Sequence, residues 1–251
     1  MERIAQIVED LARNMPFNNF RNVMASKGRT CPDQIGRNCH DVNRLLNQQL
    51  GGNLEFIQPE GSDHSCSIYE SAEGPILLDP SARILEPIPL KALLDGNVKV
   101  IKKPALPMVA GKPTTITITK TGKATILLTK THFQPPNNEV VDLRQFYNLK
   151  KRIKLPAEDY VHKPSINKFS PLISTPTPDG KLLILTQFPP QGPDAQISGG
   201  LTRTEYIPPD RVDDVISSVS QIIGLARGPL LETLEEGSRL YYSMRTTRDR
   251  D

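Results

Sequence analysis

Three residues of this chain have the types, order and settings that nucleophilic acyl transfer would use: Cys39, His64 and Asp79. Cys39 follows Asn38 directly, at the start of a segment with helical spacing. A cysteine in the first turn of a helix meets the positive end of the macrodipole and unpaired N–H groups, and both favour thiolate over thiol. A thiolate is the nucleophile that exchange with a thioester needs, because its basicity resembles that of the leaving thiolate. It also needs a proton carrier, and an imidazole needs a carboxylate to fix its tautomer. His64 lies just before one strand candidate, and Asp79, 15 positions on, ends another. An antiparallel turn near Glu73-Gly74-Pro75 would set the two side by side.

Each of the three has an ordinary alternative. A lone cysteine is usually a small buried hydrophobe, a histidine before a strand is commonly a surface residue, and Asp79-Pro80 alone would be a turn starter. Their joint order on these element types favours the chemical reading. For Cys31 and Cys66 the buried-hydrophobe reading stands, and Cys66 fits a core position within an apolar strand. Zinc held by Cys31, Cys39, His40, His64 and Cys66 is disfavoured, since the spacings lack the short cysteine knuckle of structural sites, and no metal is expected. Lys150-Lys151-Arg152-Ile153-Lys154 could receive the phosphates of a CoA-type donor, but a solvated charge run is the simpler reading. Gly199-Gly200 reads as a flexible loop rather than a nucleotide contact. His132 and His162 have no carboxylate spacing that recommends them as bases.

The elements that must position these groups change character along the chain. Ile4, Ile7, Val8 and Leu11 share one helix face, which Pro16 limits. Asn38 reads as the N-cap of a second helix, with Val42, Leu45, Leu46 and Leu50 on one side and Gly51-Gly52 closing it. Short strands are expected at 54–57, 65–69, 76–79, 98–101, 114–119 and 123–129, with a hairpin around Lys120-Thr121-Gly122, and their spacing suggests a small barrel or sandwich. Pro178-Asp179-Gly180 signals another hairpin, followed by a loop from Pro189 to Gly200. Pro208-Pro209-Asp210 opens a helix bearing Val212, Val215, Ile216, Val219, Ile222 and Ile223 and ending at Gly224, and Leu230–Tyr242 predicts a last helix before a frayed tail, Arg245–Asp251. Helices followed by strands, then a hairpin with a helix, point to an α+β protein rather than alternating βαβ units.

Composition excludes several classes. With 37% hydrophobic and 24% charged residues the chain is not a disordered one, and a formal charge of +3 over 251 residues gives no prior for a nucleic-acid partner. Zero Trp and 5% aromatics weigh against an aromatic carbohydrate-binding or single-strand-binding surface. No run of about 18 apolar residues suggests a membrane partner, and the N-terminus lacks a signal-peptide core. Three cysteines are too few for a disulfide framework, so a reducing, cytoplasmic setting with free thiols is expected.

The stretch Gly36-Arg37-Asn38-Cys39-His40-Asp41-Val42-Asn43-Arg44-Leu45-Leu46 resembles the signature Arg-Gly-Gly-x-Cys-aromatic-Glu-x-Asn-x-Leu of the arylamine N-acetyltransferases, whose cysteine is acetylated. Met15-Pro16-Phe17-Asn18-Asn19-Phe20 is similar to that family's Pro-Phe-Glu-Asn-Leu segment, and the regions around His64 and Leu77-Leu78-Asp79-Pro80 are similar to its histidine and aspartate strands. Fainter likeness runs on through Gln145–Leu149, Leu155–Tyr160, Ser170–Leu172, Thr177–Lys181 and Ile216–Leu225. The resemblance implies a helical bundle over 1–53 with Cys39, an antiparallel β-barrel over 54–172 with His64 and Asp79, and an α/β lid over 173–251 with the closing helix. Together these would form a papain- or transglutaminase-like Cys-His-Asp core. It also implies ping-pong chemistry, in which Cys39 takes an acetyl or other acyl group from acyl-CoA and passes it to a small aromatic amine or hydrazine. The chain departs from the signature at Arg37-Asn38, at Asp41 and at Pro80-Ser81-Ala82, and only 25 positions separate Cys39 from His64.

Three functions remain open on the residues: acyl transfer to an amine, amide synthesis included; a papain- or transglutaminase-like hydrolase or crosslinking enzyme; and a non-catalytic binding protein on the same scaffold.

Overall fold

The first helix forms where an apolar stripe, dipole-matched termini and an approaching proline coincide. In the computed structural model, which describes residues 1–18, 20–25, 27–60, 64–109, 112–134, 139–153, 172–176, 182–186, 196–199, 201–206 and 212–248, α1 spans Glu2–Asn14 and buries Ile4, Val8, Leu11 and Ala12. Glu2 lies in its first turn and Arg13 in its last, each at the end of the dipole that favours its charge. A two-residue strand, β1 (Phe17–Asn18), and a short helix, α2 (Phe20–Ala25), follow. The next long helix, α3, runs Cys39–Gln49 as the spacing predicts. Gly51 and Gly52 then turn the chain at φ +79° and +83°, a region that favours glycine.

Two four-stranded antiparallel sheets make up the middle of the chain. The first contains β2 (Leu54–Ile57), β3 (Cys66–Ser71), β4 (Gly74–Leu78) and β5 (Ile88–Pro89), paired in that order. Its strands are buried on both faces. Leu54, Ile76 and Leu78 pack under α1 and α3 with Ile4, Val8, Leu11 and Leu46. The alternate residues Ile57, Cys66, Ile68, Leu77 and Ile88 face the second sheet. After a short helix α4 (Lys91–Leu94), that second sheet is a meander of β6 (Val100–Val109), β7 (Lys112–Lys120), β8 (Thr125–Gln134) and β9 (Glu139–Asn148). Ile116, Ile118, Ile126, Leu128 and Tyr147 are its contribution to the shared core.

Among the described residues these ladders do not close into the expected barrel. Isolated bridges join the sheets instead, Phe56 to Ile153 and Pro59 to Tyr147 on one side and Ile84 to Ala105 on the other. Strand β6 outruns its expected end at Ile101 and passes through Pro104 and Pro107. It can do so because it is an edge strand, where a missing N–H need not break a ladder. Its register against β7 shifts between Ala105 and Val109.

Strands β10 (Leu172–Pro176) and β11 (Leu182–Thr186) pair antiparallel on either side of Pro178-Asp179-Gly180, which lies outside the described residues. β1 joins the free side of β10, so the N-terminal segment is built into this C-terminal sheet. The expected loop from Pro189 to Gly200 includes a strand: β12 (Gln196–Gly199) pairs with β13 (Leu201–Tyr206). Helices α5 (Val212–Ile223) and α6 (Arg227–Arg248) finish the chain, with Gly224 between them at φ +66°. Pro208-Pro209-Asp210 lies outside the described residues. The final helix runs further at both ends than Leu230–Tyr242, and Pro229 sits in its first turn, where no N–H is needed. Val215, Ile216, Val219, Ile223, Leu230 and Leu234 enclose Ile35, four positions before Cys39. No described helix is long and apolar enough to cross a membrane.

Candidate active site

The turn that leads into Cys39 is stitched to the segment after α1. Arg37 N–H donates to Pro16 O at 3.0 Å and Asn18 N–H donates to Arg37 O at 3.2 Å. The buried Asn18 side chain donates to Gly36 O at 2.7 Å and accepts from Arg21 N–H at 2.9 Å. Gly36 has φ +104°, and a Cβ there would lie 2.0 Å from Pro16 O, so the close approach requires glycine. Asn38 then caps α3 by accepting from Asp41 N–H at 2.9 Å, and its amide donates to Asp41 Oδ2 at 2.9 Å. Asp41 also pairs with Arg21 at 3.2 Å. Cys39 is thereby fixed as the first helical residue, at the positive end of α3.

His64 and Asp79 are brought together from neighbouring strands, His64 just before β3 and Asp79 just after β4. The pairing of Ser67 with Leu78 sets this register. His64 Nε2 lies 2.7 Å from Asp79 Oδ2. The other carboxylate oxygen accepts from Ser81 Oγ at 2.8 Å and from Ala82 N–H at 3.0 Å, so Asp79 is buried with both oxygens engaged. The ring of His64 is in turn hydrogen-bonded to Cys39. Cys39, His64 and Asp79 therefore lie in series.

The electrostatics follow from this series. Burial pushes the Cys39 thiol up, but hydrogen bonds from His40 and His64 and the charges of both rings outweigh it and bring the thiol down to about 6. Burial opposes a charge on His64 as well. The Asp79 carboxylate, with the Cys39 sulfur behind it, reverses that and raises the imidazole to about 10. Between those values the favoured state is thiolate beside imidazolium. The other two cysteines move the opposite way. Burial lifts Cys31 to about 11 against the lowering pull of Arg21, and lifts Cys66 well above the ordinary thiol range. None of the three cysteines forms a disulfide.

Three further residues complete the setting and escaped the sequence reading as positioning groups: His40, Asn43 and Ser65. Asn43 is fully buried on α3 and donates to Ser65 O and Ser65 Oγ, each at 2.9 Å, while its carbonyl accepts from Ser67 Oγ at 2.9 Å. Ser65 Oγ also lies 3.1 Å from His40 Nδ1. The helix bearing the cysteine is thus bolted to Ser65, which follows the histidine, and to Ser67 within β3. The asparagine in the cysteine motif was the one available signal.

Other candidates fall away from this site. Arg152 pairs with Glu55 at 3.3 Å and with Glu70, and Lys151 pairs with Glu60 at 3.4 Å, so these two members of the basic run are tied to neighbouring carboxylates, while Lys154 lies outside the described residues. His132 is buried on β8 beside Lys130, and His162 lies outside the described residues. Gly199 pairs within its hairpin, and Gly200 lies outside the described residues. Among the described residues no three His, Cys, Asp or Glu side chains group to hold a metal.

The fold and this arrangement define an α+β protein with antiparallel sheets and a cysteine, histidine and aspartate in line at a helix start. Its backbone is similar to the structure of the arylamine N-acetyltransferase from Mycobacterium abscessus, with a TM-score of 0.57 and 15% identity, over 93% of this chain and 88% of that one. At this identity the likeness is one of fold. No protein-family model matches the sequence, and no curated protein matches it.

Proposed function

We propose that this protein is an acyltransferase working through a covalent Cys39 thioester. The observation that carries the reading is the series Asp79–His64–Cys39, in which the cysteine opens α3 and its thiol is brought down to about 6. In the first half-reaction the Cys39 thiolate attacks the acyl carbon of an acyl-CoA, and His64 gives its proton to the departing CoA thiolate. In the second, an amine attacks the Cys39 thioester and yields its proton to His64. Asp79 holds the ring in one tautomer throughout. The fold shared with an arylamine N-acetyltransferase supports acetyl or a related acyl group as cargo and a small aromatic amine or hydrazine as acceptor.

The test is intact-protein mass spectrometry against a panel of acyl-CoAs. One acyl mass should appear on the native chain and none on Cys39→Ala. No adduct with any acyl-CoA or activated ester would overturn the reading. Release of peptide or ammonia from unactivated amides, without transfer to amines, would move the same three residues to hydrolytic chemistry.

A further inference from the structure

The turn that follows Asp79 is held from the second sheet as well as from its own. Pro80–Ala82 form one 3₁₀ turn that Asp79 caps, its Oδ1 accepting from Ala82 N–H at 3.0 Å and from Ser81 Oγ at 2.8 Å. Oδ2 is left for His64 Nε2. Where the turn sits therefore sets where the carboxylate points, and with it the imidazole. Two strands of the second sheet fix that position. From β6, Leu106 N–H donates to Arg83 O at 2.9 Å. From β8, the Lys130 ammonium donates to Ala82 O at 2.9 Å. Lys130 is an unusual residue for its place. It pairs with the buried Ile116 and follows Ile126 and Leu128 at two-residue steps, so it occupies the face that these residues turn to the core. Among the described residues its ammonium has this one hydrogen-bond partner. The charged and titratable groups near it are Asp79 and Arg83 on the turn and His132 two positions along β8. Burial pushes the ammonium down to about 8, Asp79 opposing and Arg83 adding to the fall, so it remains charged at pH 7. A charged donor on a carbonyl makes the stronger kind of hydrogen bond.

We propose that Lys130 is a positioning residue of the acyl transfer, which fixes the turn that aims Asp79 at His64. The proposal rests on the acyl-transfer reading and deepens it. Lys130 acts through Ala82 and Asp79 and exchanges no proton. With the turn fixed, Asp79 stabilises the His64 imidazolium, and the imidazolium stabilises the Cys39 thiolate. Release of the turn weakens both steps, so His64 gives up its proton more easily and Cys39 less easily. A field effect of the Lys130 charge predicts a different pattern. A nearby cation lowers both values, so its removal without movement of the turn raises both. The direction at His64 separates positioning from field.

The experiment compares the native full chain with Lys130→Met, which loses the donor and the charge. Lys130→Leu is a second neutral variant, read in the same way if Lys130→Met does not fold. Lys130→Arg keeps donor and charge, and Lys130→Gln keeps an N–H alone. His64 is titrated by NMR on histidine-labelled protein, and Cys39 by iodoacetamide alkylation against pH with peptide mass spectrometry. In Lys130→Met the His64 value should fall by at least about one pH unit, a tenfold weaker hold on the proton, and the Cys39 midpoint should rise. Acyl-adduct formation at pH 7 should slow by up to about 100-fold. Either Lys130→Arg or Lys130→Gln should recover part of these changes. Unchanged His64 and Cys39 values in a variant that urea unfolding shows to be folded overturn the proposal and leave Lys130 a purely structural role. A rise in both values overturns it in favour of the field effect, and equal changes in every variant overturn it in favour of packing. An acyl adduct on the native chain, with neither value moved in Lys130→Met, sinks this proposal alone. No adduct on the native chain, with both values moving as expected, sinks acyl transfer and supports the clamp on Asp79.

Discussion

At the scale of single residues, the proposed acyl transfer carries a pH range set by Cys39 and His64. The Cys39 value is depressed to about 6, so its thiolate persists above that pH and is lost below it. The His64 value is raised to about 10, so its imidazolium persists below that pH and is lost above it. Acyl-adduct formation followed against pH should therefore hold a plateau between about 6 and about 10 and fall on both sides, with both limits belonging to the coupled pair. Asp79→Asn keeps the shape of the side chain but removes its charge and disturbs the tautomer. Adduct formation at neutral pH should slow by about 10³–10⁴-fold, read by stopped-flow mass spectrometry. The convergence of Cys39, His64 and Asp79 was legible because each carries a local signal: a helix start, a strand start and a strand end. His40 and Asn43 were not, because their meaning depends on how α3 lies across β3, and no local spacing encodes that contact.

At the scale of elements, the site depends on two clamps. Asn43 joins α3 to β3, and Asn43→Ala would strand Ser65 and Ser67 groups in a buried setting. It should cost about 2–3 kcal/mol in urea unfolding and should slow Cys39 alkylation as well. Arg83 joins the turn after Asp79 to the end of α1, its buried guanidinium donating to Ala12 O at 2.9 Å and Met15 O at 2.8 Å. Arg83 also has φ +65°, where a Cβ is unfavourable. Arg83→Gly and Arg83→Ala both lose the clamp, but Arg83→Ala keeps the backbone strain and should be less stable by about 1 kcal/mol in the same unfolding assay. Helices α1 and α3 and the hairpins around Glu73-Gly74-Pro75 and Lys120-Thr121-Gly122 were readable from caps and periodicity, whereas the short helices α2 and α4 were not. β9 was not, because Glu139, Val140, Asp142, Leu143 and Arg144 are all exposed and leave no alternating pattern. β1, two residues long, pairs with β10, more than 150 positions away, and with Arg37, and neither partner is signalled by its own two residues.

At the scale of the whole molecule, three apolar clusters among the described residues divide the work, and one of them reaches the site from the far end of the chain. Ile35 is enclosed by α5 and α6 and lies just before Cys39, whereas Ile126 belongs to the core between the two central sheets. Ile35→Ala and Ile126→Ala should each cost about 2–5 kcal/mol. Only Ile35→Ala should also slow alkylation of Cys39 under conditions where both variants remain folded. The α+β class was evident from the order of helices and strands. The choice between a barrel and two separate central sheets was not, since period-two alternation reports a buried face without saying whether the sheet edges meet. The distribution of the thiols across these clusters has a practical consequence. Cys66 is sealed within the central core and Cys31 packs beside Ile35, both with raised values, while Cys39 alone is poised to ionise at neutral pH. A thiol probe should therefore meet Cys39 first. One equivalent of a thiol probe near pH 7 would count the correctly folded molecules in a preparation, and any uptake beyond one would measure the fraction whose cores have opened.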